Sequence, residues 1–174
     1  PAAWAICKDL ASGNPALTAS GGSVCNATLN LYQGGNVAGA FDDGSVLNLR
    51  AVTTIANTNG GGTHSLGVGG LNAASGASPA ATVHAAGDLT VRSSNGLNSR
   101  AIQVFGGTNG SGARSTLMVD GMLDAWRNGG SGGAVIDNDG GVVHVMGTAR
   151  LGAQPTAPAI GPGATTVIAL RNKG

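Results

Sequence analysis

Residues Thr82–Val91 read TVHAAGDLTV, and the same pattern returns at Thr116–Ala125 (TLMVDGMLDA) and Val142–Leu151 (VVHVMGTARL). Apolar and polar side chains alternate on both sides of a glycine, so each copy predicts two short strands joined by a bend at that glycine. Because alternate side chains of a strand point to opposite faces, the aliphatic residues of every copy are expected to face one common interior.

A second, shorter repeat lies between these copies. It consists of the dipeptides Ser65-Leu66, Ala101-Ile102, Ala134-Val135 and Ala159-Ile160. From residue 66 to residues 102, 135 and 160, the successive intervals are 36, 33 and 25 residues. A repeat of this length with variable loops is typical of the coils of a parallel β-solenoid. The sequence therefore predicts an all-β fold built of stacked coils, with no helical periodicity.

The repeats predict a single body over residues 45–174. Its expected coils are approximately 45–80, 81–114, 115–140 and 141–164, with a further coil starting at 165–170. The pattern reaches the end of the chain without a cap, which predicts additional coils in the natural protein. Pro1 is not an initiator residue, so the chain is interpreted as a processed or excised piece.

Residues 1–44 do not follow the repeat and hold three of the five aromatic side chains, Trp4, Tyr32 and Phe41. The first coil of a solenoid would otherwise expose unpaired strand edges, so this segment is predicted to be an N-terminal cap. Within it, residues 28–31 (TLNL) resemble residues 46–49 (VLNL), which indicates a partial coil inside the cap.

The two cysteines, Cys7 and Cys25, both lie in the predicted cap. A disulfide between them would close a loop of 19 residues. Such a loop restricts the unfolded chain and stabilises the fold by about 3 kcal/mol. We predict a disulfide formed in an oxidising compartment, with two buried thiols as the alternative.

The charge content excludes several classes of partner. Charged residues make up 10% of the chain and the net charge is +1, without a basic cluster that would attract nucleic acid or an acidic membrane surface. No apolar run approaches the roughly 20 residues needed to span a bilayer. We therefore expect no nucleic-acid partner and no membrane contact by this chain, whose exterior is built mainly of small uncharged residues.

Histidines and glycine-rich turns suggest no metal or cofactor site. Aligning the glycines of the three copies places His84, Met118 and His144 in one outward column, with the histidines about 9.6 Å apart. A shared zinc ion needs both nitrogens at about 2.1 Å, so these histidines, and His64 in a glycine-rich segment, are predicted to be solvated. Asp137–Gly141 is interpreted as a turn because the full calcium-loop patterns are missing. No cofactor is expected.

A second outward column contains Thr90, Asp124 and Arg150, for which an exposed ion pair worth roughly 0–1 kcal/mol is expected. Asp88 and Asp120 lie near the same bends, and paired carboxylates about 5–9 Å apart would favour a saccharide-cleaving enzyme. Trp126 aligns with Arg92 and would either cover a loop or stack on a sugar. Since no catalytic set converges, the chain is predicted not to be an enzyme. The alternative is a carbohydrate-active β-helix, either a polysaccharide lyase or hydrolase or a phage tailspike fragment.

The alternating strands, the strand-Gly-strand phrases such as Val142–Leu151, and the turns rich in Gly, Ala and Asn resemble the passenger domains of Gram-negative autotransporters of the pertactin and AIDA-type adhesin group. The resemblance covers about residues 45–174 and includes no functional motif. It implies a right-handed parallel β-helix at the cell surface, exported through the periplasm and outer membrane by a C-terminal barrel outside this chain. It also implies a non-enzymatic adhesin or self-association stalk whose partner is a host-cell or neighbouring-cell ligand.

Overall fold

A computed structural model describes residues 8–9, 17–19, 24–27, 31–33, 37–50, 52–57, 64–70, 79–93, 99–106, 112–127, 133–153 and 168–173. In these ranges the chain forms strands and no helix. The strands are β1 (Lys8–Asp9), β2 (Leu17–Ala19), β3 (Val24–Ala27), β4 (Leu31–Gln33), β5 (Ala38–Ala40), β6 (Val46–Leu49), β7 (Thr53–Asn57), β8 (His64–Val68), β9 (Thr82–Ala85), β10 (Leu89–Ser93), β11 (Arg100–Val104), β12 (Thr116–Val119), β13 (Leu123–Arg127), β14 (Ala134–Asn138), β15 (Val142–Val145), β16 (Ala149–Ala153) and β17 (Ile168–Asn172).

The strands form three stacked sheets. Sheet A has the order β1-β2-β5-β8-β11-β14-β17, sheet B has the order β3-β6-β9-β12-β15, and sheet C has the order β4-β7-β10-β13-β16. Each coil supplies one strand to sheet B, then one to sheet C and one to sheet A. Apart from the antiparallel pair β1–β2, the pairs among these strands are parallel, which confirms the predicted parallel β-helix.

The repeated glycines lie at the bends between sheets B and C, as the sequence predicts. A methyl group at Gly121 would lie 2.7 Å from the carbonyl carbon of Gly87 in the preceding coil. One at Gly147 would lie 2.5 Å from the carbonyl oxygen of Gly121. Successive coils therefore stack backbone on backbone at this bend, and only glycine leaves room for that approach.

The core is a column of aliphatic side chains inside the coils. On sheets B and C, buried residues alternate with half-exposed ones, as in β9 and β12, where Val83, Ala85, Leu117 and Val119 are fully buried. On sheet A, all five residues of β8 and of β14 are buried. Sheet A is thus covered on both faces, whereas sheets B and C each present an outer face to solvent.

The register on sheet A corrects two details of the sequence analysis. Ile102 pairs with Leu66 and with Ile136, so the alignment of Ala101-Ile102 with Ala134-Val135 was wrong by one residue. Strand β17 pairs with β14 and completes the coil that begins at Val142, whereas a new coil had been expected there. The first error has a physical cause: β8 and β14 are buried throughout, so alternation of buried and exposed residues does not mark their register.

Parallel pairing begins before residue 45. Strand β3 pairs with β6, β4 with β7 and β5 with β8, so a complete coil lies within residues 1–44. Its sheet B strand is Val24–Ala27, and the residues 28–31 predicted to correspond to β6 are not its partner. Cys7 and the side chain of Cys25 lie outside the described residues, so the disulfide and the capping role remain predictions.

Candidate functional site

The outer face of sheet B is a regular ladder of half-exposed side chains. Met118 pairs in register with His84 on one side and His144 on the other, which confirms the predicted column. Asn48 extends it by one coil. The Nε2 atom of His84 lies 2.9 Å from Oδ2 of Asp120, and both side chains are about one-third exposed. The column is therefore polar and open to solvent.

Two of the three carboxylates near the bends have partners within the fold. Asp88 accepts a hydrogen bond from the backbone N–H of Met122 in the next coil at 2.7 Å, and Asp120 contacts His84. Asp124 is half-exposed on the outer face of sheet C. The geometry thus gives Asp88 and Asp120 a role in holding neighbouring coils or side chains together.

The outer face of sheet C contains the second predicted column. Asp124 pairs in register with Thr90 and with Arg150. The predicted alignment of Asp124 with Arg150 is therefore confirmed. The expected ion pair between them is not among those of the described residues. Trp126 pairs with Arg92 as predicted, and the Arg92 guanidinium lies 4.8 Å from the centre of the indole ring.

The sequence analysis was wrong about His64. It is the first residue of β8, is 5% exposed, and lies between two phenylalanine rings on the outer face of sheet A. Its ring centre is 5.8 Å from that of Phe41 and 5.7 Å from that of Phe105. Gly67 makes this packing possible, because a methyl group there would lie 2.7 Å from Nε2 of His64. Gly67 is therefore required by close packing against His64.

Burial, with the nearby charge of Arg100, lowers the pKa of His64 to about 4. In the unfolded chain the pKa returns to 6.5, so between these values only the unfolded state binds the proton. We expect the free energy of unfolding to fall by about 3 kcal/mol as the pH drops from about 6.5 to 4. Urea unfolding at a series of pH values measures this. His64→Phe should remove the dependence in that window, whereas exposed His144→Gln should retain it; equal curves for all three proteins would contradict the assignment.

A buried ion cluster also escaped the sequence analysis, which had assigned Asp137 to a turn. Asp137 belongs to β14 and its side chain is fully buried, while the turn begins after Asn138. It accepts hydrogen bonds from Nε of Arg100 at 2.5 Å and from Nε of Arg171 at 2.8 Å, and Nη2 of Arg171 also donates to it. The cluster joins three coils, because Arg100 lies on β11 and Arg171 on β17.

Two opposing effects act on the pKa of Asp137. Burial raises it, but hydrogen bonds from Arg171 and Arg100, together with their charges, outweigh burial and lower the pKa below 3.8. The same hydrogen bond raises the pKa of Arg171. Asp137 therefore remains a carboxylate at neutral pH. The stability that it contributes is present above about pH 3.8 and is lost as the pH falls toward its folded-state pKa.

Arg127 lies in the interior of the β-helix. It is the last residue of β13, follows the inward-facing positions Leu123 and Ala125, and is fully buried. Its guanidinium lies against Gly133, where a methyl group would be 2.7 Å from Nη1. Burial, with the charge of Arg100, lowers its pKa.

The fold and these outer faces define a parallel β-helix with one doubly covered sheet and two half-exposed, polar sheets. Comparison with models of known protein families, with curated proteins and with solved structures found no match. Within the described ranges, no three His, Cys, Asp or Glu side chains group to hold a metal ion. The same ranges contain no helix with the length and apolarity to cross a membrane.

Proposed function

We propose that this chain is part of a non-enzymatic adhesin or self-association stalk, an autotransporter passenger fragment displayed at the cell surface. One observation carries the proposal: the half-exposed side chains of sheets B and C stack in register over successive coils. A ladder of this kind repeats similar groups at about 4.8 Å. Many weak contacts along such a face add up to avid binding of another surface or a second copy of the chain.

The polar character of the ladder supports binding by contact more than catalysis. On sheet B its members include Thr82, Thr116, His84 and Met118, all half-exposed. The carbohydrate-active alternative was motivated by Asp88, Asp120 and Asp124. Because Asp88 and Asp120 already contact Met122 and His84, these carboxylates give the enzymatic alternative little support.

The proposed function is tested by displaying the full-length protein on cells. We expect such cells to aggregate or to bind host cells more than the deletion strain does. The combined variant Thr82→Glu, Thr116→Glu and Met118→Glu places three like charges along the sheet B ladder and should reduce aggregation severalfold. Val52→Glu is the matched control, because Val52 is 68% exposed and lies outside the ladder. Cells displaying the wild type that match the deletion strain in both assays would contradict the proposal.

A further inference from the structure

The outer face of sheet C contains a grid of side chains from three successive coils. Its outward positions are Thr90 and Arg92 on β10, Asp124 and Trp126 on β13, and Arg150 and Gly152 on β16. Neighbouring strands lie about 4.8 Å apart, and outward residues of one strand lie about 6.6 Å apart. Trp126, Asp124, Arg150 and Gly152 therefore form the corners of a patch about as large as one six-membered sugar ring.

The Trp126 ring is held from one side. Arg92 belongs to the preceding coil, and its guanidinium lies over the indole at 4.8 Å from the ring centre. A cation in this position is attracted to the π-electrons of the ring and limits its rotation. Arg92 covers one face of the indole and leaves the opposite face for a ligand, while the next coil places Gly152 in register with Trp126.

Among the described residues, space is left in the coil that follows Trp126. Gly152 pairs with Trp126 in the register of β13 and β16, and it is the only position of the grid without a side chain. Apart from Gly152 and its two chain neighbours, the described residues have no atom within 4 Å of a methyl group built at Gly152. This differs from Gly121 and Gly147, where the backbone of the preceding coil blocks a methyl group. In the part of the chain that the structure describes, the absence of a side chain at Gly152 thus leaves a notch beside Trp126.

The neighbouring column supplies polar groups to the edge of the notch. Asp124 is half-exposed and Arg150 is exposed, and the described ion pairs do not join the two. A carboxylate accepts hydrogen bonds and a guanidinium donates them. A flat ring with an apolar face and hydroxyl groups around its edge would satisfy both the indole and these charges.

We propose that Trp126, Gly152, Asp124 and Arg150 form a binding subsite for one pyranose ring of a saccharide. The apolar C–H face of the sugar stacks on the free face of Trp126 and its body occupies the notch above Gly152. Hydroxyl groups donate to Asp124 and accept from Arg150. This inference rests on the proposed function, since it names the class of surface ligand that the stalk binds.

The test starts with an array of immobilised glycans and the purified chain. Each glycan that binds is then titrated in solution, with the fluorescence of Trp126 as the signal in a Trp4→Phe background. We expect saturable binding and a change in Trp126 emission. Failure to bind any glycan, or binding without any change in Trp126 emission, would overturn the subsite.

Variants separate the subsite from general effects on folding. Gly152→Leu fills the notch at a position where a Cβ meets no described atom, and it should weaken binding about tenfold or more, as should Trp126→Ala. Trp126→Phe retains a flat ring and should bind within about threefold of the wild type. Val52→Gln is the control and should bind like the wild type, because Val52 is 68% exposed and lies outside both the ladder and the subsite. Wild-type affinity in folded Gly152→Leu would overturn the proposal.

The outcomes also distinguish this subsite from the proposed function. Cells that adhere normally while the purified chain binds no glycan would remove the subsite and leave the adhesin. Glycan binding that is lost in Gly152→Leu, together with display that produces neither adhesion nor aggregation, would support the subsite and contradict the adhesin.

Discussion

Gly121→Ala is expected to destabilise the chain by about 3 kcal/mol. The added methyl group would lie 2.7 Å from the carbonyl carbon of Gly87 and 2.8 Å from the backbone nitrogen of Asp88. Neither backbone atom can move without displacing the preceding coil. The substitution also crowds the carboxylate of Asp88, which accepts the hydrogen bond from Met122. Urea or thermal unfolding followed by circular dichroism measures the change.

Gly152→Ala is the matched control for this prediction. It makes the same chemical change in a strand, but the new methyl group meets no described atom within 4 Å. Because alanine restricts the unfolded chain more than glycine does, its expected effect is between zero and a stabilisation of about 0.5 kcal/mol. Equal destabilisation by both substitutions would show that backbone preference, and not coil stacking, explains the glycine at the bend.

Asp137→Ala is expected to lower the free energy of unfolding by about 3 kcal/mol, since it leaves the guanidinium groups of Arg100 and Arg171 without the carboxylate that both contact. The two arginine side chains are 21% and 29% exposed, so partial hydration holds the cost near the lower end for a broken buried pair. Hydrogen exchange should show the loss of protection in β11, β14 and β17, which the cluster joins.

Asp139→Ala is the control for the buried carboxylate. Asp139 lies two residues further along the chain and faces Lys173 at 3.9 Å, with both side chains 47% exposed. Water and salt screen such a pair, so its loss should change the free energy of unfolding by about 0.5 kcal/mol or less. If Asp137→Ala lowered the free energy of unfolding as little as Asp139→Ala, the buried cluster would contribute little to holding the coils together.

Sheets B and C were the predictable part of the fold because one face of each is buried and the other is half-exposed. Leu117, between the outward residues Thr116 and Met118, shows the alternation that such a strand imposes on its sequence. The glycine at each bend then sets the alignment of the copies, and the columns through Met118 and Asp124 follow from it. Two components of the candidate subsite, the pairing of Trp126 with Arg92 and that of Asp124 with Arg150, were predicted in this way.

Sheet A was not predictable to the same degree. In β14 all five residues are buried, so apolar and polar positions carry no information about which face is which. The roles of His64 and Asp137 depend on this second covered face, since an exposed position would have left the histidine solvated and the aspartate in contact with water. Their partners, Phe105 and Arg171, come from other coils, at distances along the chain that no local pattern specifies.

The sequence by itself determined that this protein is a stack of β-coils, where two of its three sheets bend, and which outward residues are neighbours. It could do so because periodic burial and a glycine required by backbone contact leave a repeated local signature. Only the tertiary structure decided which polar side chains are buried, which carboxylates have partners, and that the described residues leave space at Gly152 in the coil after Trp126. Those properties depend on contacts between coils about 26 to 37 residues apart, and a single coil does not contain the atoms that create them.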